Sequence, residues 1–82
     1  MDGEIDTLEQ ELLRLGRDEL EMEVLLQDLR RECRAAGEAG QVDLADEAWA
    51  LVEATRAGLA AVQAQVRRVE ARLYGLRRRQ RR

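Results

Sequence analysis

The amino-acid sequence predicts an all-α protein, an antiparallel two-helix coiled-coil hairpin that is expected to dimerise into a four-helix bundle. Three observations carry this expectation. First, Ala, Leu, Glu, Arg and Gln dominate the 82 residues, while Pro, Ser, Asn, His, Lys and Phe are absent. The dominant types lose little on entering a helix. Second, each half of the chain holds a ladder with alternating steps of three and four residues, the a/d spacing of a coiled-coil seam. Third, the ladders fit each other when one is reversed. One runs Ile5, Leu8, Leu12, Leu15, Glu19, Met22, Leu26, Leu29, Cys33, Ala36. The other runs Ala45, Ala48, Val52, Thr55, Leu59, Val62, Val66, Val69, Leu73, Leu76. The two residue numbers on each rung sum to 81, so that Leu29 meets Val52, Met22 meets Leu59 and Leu12 meets Val69.

The length allows one domain, expected over residues 1–82. The first helix is expected over about 4–36. Asp2 or Asp6 can cap it, and Asp6 with Glu9 resembles a capping box. Gly37 is the expected left-handed residue at its end. The turn over 37–43 contains two glycines, and a connector that short makes its helices antiparallel neighbours. Asp43 is the expected N-cap of the second helix, over about 44–78, with Asp46 and Glu47 placed well for its dipole. Gly16 and Gly58 lie on opposite arms and offer a close backbone approach. Glu19 interrupts the first ladder opposite Val62, where a polar seam residue fixes register or reaches out beside Gln63 or Gln65.

Charge supports the same pairing. Residues 1–41 carry 12 acids and 5 arginines, net −7, and residues 42–82 carry 5 acids and 9 arginines, net +4. In an antiparallel pair the flanking positions of like type face each other. That places Glu4 by Arg79, Glu11 by Arg72, Asp2 by Arg77 and Glu23 by Arg56, all attractive, with Glu9 by Glu70 repulsive. Arg30 meets Trp49 as a cation–π pair.

A two-helix seam leaves further apolar residues without cover. Leu13, Leu20 and Val24 form a second stripe on the first helix, joined at its edge by Leu25. Leu44 and Leu51 widen the second helix near the turn. Ala50, Ala54, Ala57, Ala61 and Ala64 line its outer side. These are the candidate partner-interface residues, since an exposed apolar patch marks an interaction site. A second hairpin, or a helix of another protein, would cover them.

The chemistry of an enzyme is missing. There is no His to act as base or metal ligand and no Ser nucleophile. No CxxC, P-loop or GxGxxG spacing occurs. Cys33 falls on the seam and reads as a small buried apolar residue. Glu19, Glu21 and Glu23 point in different directions on a helix and read as a solvated face rather than a metal cluster. No catalytic, cofactor or metal site is expected.

The tail supplies Arg77, Arg78, Arg79, Arg81 and Arg82, a candidate contact for an anionic partner such as nucleic acid or acidic lipid. No aromatic residues interleave for base stacking. The tail reads first as a helix end that complements the acidic start of the chain. No apolar run is long enough to span a membrane, the start is acidic rather than signal-like, and a single cysteine fits a reducing compartment. The expected location is intracellular and cytoplasmic. The expected role is a non-enzymatic protein–protein interaction module, a self-associating scaffold or adaptor that can equally be a segment of a longer protein. A nucleic-acid-associated accessory protein is the alternative.

Overall fold

A turn of three residues organises the molecule. A computed structural model describes residues 2–80, and of Asp2 the backbone alone. Helix α1 spans Asp2–Glu38 and helix α2 spans Val42–Gln80. There is no strand among the described residues. The turn is tighter than expected, because Gly37 continues α1 and Gly40 is the residue with left-handed backbone, at φ 74°. The Gly40 amide donates to the Gly37 carbonyl at 3.1 Å, and the Gln41 amide donates to the Ala36 carbonyl at 2.8 Å. This pair of bonds is the Schellman closure, which satisfies the carbonyls that a helix end leaves open. Gln41 then starts α2 at once, its carbonyl accepting from the Ala45 amide at 3.0 Å. The expected N-cap residue, Asp43, lies inside the first turn of α2, where its charge still suits the helix dipole.

The start of α1 also differs from expectation. The helix is already formed at Asp2, which places Asp6 within it rather than at its cap. Thr7 donates its hydroxyl to the Gly3 carbonyl at 2.7 Å, one turn back. The expected Asp2 cap and Asp2–Arg77 pair lie outside the described side chains, and Arg81 and Arg82 lie outside the described residues.

The two helices pack along their length into a rod of 63 × 14 × 13 Å. Its radius of gyration of 18.4 Å compares with about 12 Å for a compact domain of this length. A rod this thin buries little. Leu15, Leu26, Leu29, Ala48, Val52, Val69 and Leu73 are buried. All the other rungs of the two ladders are half-buried, and none is exposed.

The core falls into two clusters. Leu15, Val69 and Leu73 form one, with Ile5, Leu8, Leu12, Val62 and Val66 packed against it. Leu26, Leu29 and Val52 form the other, with Leu59 against it. Leu29 therefore shares a cluster with Val52, and Leu12 packs on the cluster that holds Val69, as the rungs require. Half-buried Glu19 lies between the clusters in sequence. On the facing arm Gly58 lies beside Met22, whose Cε would sit 3.6 Å from an added Cβ. Gly16 faces open space instead, so the expected close approach of Gly16 and Gly58 is not made. Toward the turn the seam narrows to Cys33, Ala36, Ala45 and Ala48. There the Cys33 thiol donates to the Ala45 carbonyl at 3.5 Å.

Candidate interaction surface

The apolar residues that the seam leaves out stand in solvent. Leu13, Leu20, Val24, Leu25, Leu44 and Leu51 are between 49% and 74% exposed. Their positions follow from helical geometry. Residues spaced by three, four and seven share a face, and only the face carrying Ile5, Leu8 and their successors meets α2. Leu13, Leu20 and Val24 lie on the outer side of α1. Leu25, Leu44 and Leu51 flank the seam on one side, near the turn. There Leu44 and Leu51 join Glu32, Ala35, Ala36 and Ala48 around a shallow open groove. Ala50, Ala54, Ala57 and Ala61 are exposed on the back of α2, while Ala64 is half-buried. The candidate residues thus fall in three separate strips.

Three further exposed residues, Val42, Trp49 and Tyr74, were not singled out as surface apolar residues by sequence. Val42 falls in the expected turn over 37–43 but begins α2 in the structure. Val42 and Trp49 lie seven residues apart on one flank, a spacing legible in sequence once α2 is known to begin at Val42. The cation–π contact in the structure is Arg78 over the Tyr74 ring at 5.9 Å, in place of Arg30 with Trp49.

The charged flank pairs across the seam, but with different partners from those expected. Arg72 donates to one carboxylate oxygen of Glu4 from Nη2 at 2.7 Å and from Nε at 3.2 Å. Arg77 donates to Glu9 at 3.1 Å. The types of position that meet are the expected ones, while the partner is one heptad away. Competition within each helix accounts for the shift. Glu11, expected for Arg72, lies 3.7 Å from Arg14, and Arg56, expected for Glu23, lies 3.6 Å from Glu53. Neighbours three residues apart on one helix are always within reach, whereas a cross-seam partner must span the hairpin. The Arg77 bridge also offsets the expected repulsion between Glu9 and Glu70. Of the basic tail, Arg77 is engaged with Glu9 and Arg78 rests on Tyr74. Arg79 lines an open hollow with Glu4, Ile5, Leu76 and Gln80.

Glu19 is half-buried and Glu21 and Glu23 are exposed. Among the described residues no three His, Cys, Asp or Glu side chains are gathered to hold a metal ion, and no helix is long and apolar enough to cross a membrane. Comparison with protein-family models, with curated proteins and with solved structures found no match.

Proposed function

We propose that this chain is a non-enzymatic protein–protein interaction module, a coiled-coil hairpin that serves as a scaffold or adaptor inside the cell. One observation carries the reading: the seam is complete, yet large apolar side chains from Leu13 to Tyr74 remain about half exposed or more. The hairpin needs none of them for its own core. Contiguous exposed apolar strips rimmed by charge are the mark of a docking surface. The occupant that fits a strip on a straight helix is another helix, because ridges of side chains spaced by three and four residues interdigitate with their like. A second hairpin would complete a four-helix bundle, and a helix of another protein would cover the same strips.

The alternative, phosphate binding by the Arg-rich end, is weaker because Glu4 and Glu9 already neutralise Arg72 and Arg77. A photo-crosslinking residue placed at Leu20 or Leu51, with exposed Arg67 as control, tests the proposal in cells. Protein crosslinks at the first two positions and not at the third are expected. A chain that crosslinks at none of them has no docking surface there.

A further inference from the structure

Resting on that reading, we infer that the outer face of α1 is a self-complementary surface that binds a second copy of this chain, antiparallel about a two-fold axis at Leu20. The face is read from residues 6 to 34. It begins with Asp6 and Glu9, continues through Leu13, Leu20 and Val24, and ends with Arg30, Arg31 and Arg34, all exposed. Acid, apolar centre and base therefore follow one another along a single face.

An antiparallel copy with Leu20 on Leu20 places residue i level with residue 40 − i. Asp6 then lies level with Arg34, Glu9 with Arg31, and Arg17 with Glu23. Each couple is attractive and occurs twice, as a two-fold axis requires. Between residues 6 and 34 of this face no like charges come level; a like couple, Asp2 with Glu38, falls beyond it at the two ends of α1. A parallel copy puts every one of these residues against itself, so all the charges repel. Potential across an interface selects orientation and register more than raw affinity, and here it selects one orientation.

Three details agree. Both members of two couples, Asp6 with Arg34 and Arg17 with Glu23, make no ion pair among the described residues, while in the third Glu9 is engaged with Arg77 and Arg31 with Asp28. Gly16, whose missing Cβ faces open space, comes level with Val24 of the copy. The turn-side strip offers no such match, because its rim of Asp18, Glu32 and Glu47 carries one sign.

Cysteine crosslinking in a Cys33→Ala background reads both the contact and its direction. The chain should run at twice 9.4 kDa across the micromolar range, and Leu20→Cys should form a covalent dimer under mild oxidation. Leu13→Cys should not, because its counterpart lies 14 residues along the axis, about 21 Å away. A mixture of Leu13→Cys and Gln27→Cys should crosslink. Arg34→Glu should raise the dimer dissociation constant roughly tenfold, since the two-fold counts each change twice, and Asp6→Arg in the same chain should restore it. Self-crosslinking at both Leu13→Cys and Leu20→Cys would overturn the antiparallel arrangement, and failure of the charge exchange to rescue would overturn the register. A monomer with no self-crosslink would overturn the self-pairing. In that case a foreign protein crosslinked at Leu20 in cells would leave the docking role standing, and no crosslink there would end both.

Discussion

Gly37 and Gly40 should respond to alanine with opposite signs. Gly37 lies inside α1, and an added Cβ there meets nothing within 4 Å. Gly37→Ala removes backbone freedom from the unfolded chain and adds a better helix former, which should stabilise by about 0.5–1 kcal/mol. Gly40 also has open space around it, so a methyl group would not clash. Its φ of 74° is the difficulty. Left-handed backbone costs an L-residue roughly 1–2 kcal/mol, only partly offset by the unfolded-state gain, so Gly40→Ala should destabilise by about 1 kcal/mol. The two variants should thus differ by about 2 kcal/mol. At roughly 4–8 °C per kcal/mol for a chain of this size, their melting midpoints should lie on the order of 10 °C apart. Circular dichroism at 222 nm during heating is the assay, with both proteins at one concentration because association would shift the midpoint. Equal destabilisation by both substitutions, or a neutral Gly40→Ala, would show that the Schellman turn is not centred on Gly40.

The seam and the outer face should separate in the same way. Leu73, 2% exposed beside Leu15 and Val69, should lose about 2–4 kcal/mol on substitution by Ala. Leu13, 74% exposed, should change the stability of the hairpin by less than about 0.5 kcal/mol on the same substitution, as measured by urea unfolding at low protein concentration. A large loss at Leu13 would place it in the hairpin core. Arg72→Gln removes an exposed ion pair with Glu4 and should cost less than about 1 kcal/mol, a cost that shrinks as salt is added; a salt-independent loss would mean that Arg72 acts through packing. Deleting residues 77–82 removes the Arg77–Glu9 bridge and should lower the melting midpoint slightly. Salt-dependent RNA or DNA binding by the intact chain that vanishes on this deletion would reverse the ranking of the two functional readings.

Much of the fold is legible in the order of residues. Apolar side chains at 3.5-residue spacing must lie on one stripe of a helix, whatever surrounds it. That is why every ladder residue from Ile5 to Leu76 is at least half-buried. The same spacing leaves Leu13, Leu20 and Val24 off the seam, so their exposure follows from the sequence as well. The antisymmetric charge order of the α1 face, acid at Asp6 and base at Arg34, is also written in the chain. It acquires meaning only once the structure shows which of those charges remain unpaired within the hairpin.

Other features required the three-dimensional structure, because they depend on competition between alternatives of nearly equal energy. Gly37 and Gly40 are chemically identical, and the choice between them rests on which backbone can close the Gln41–Ala36 hydrogen bond while aligning two helices. Arg72 has attractive partners at both Glu4 and Glu11, and the difference between exposed ion pairs is only tenths of a kcal/mol. Helix, seam and orientation were determined by the sequence because periodicity commits many residues at once. The site of the turn and the pairing of flanking charges were decided by tertiary structure, because each rests on one residue whose alternatives only the packed hairpin tells apart.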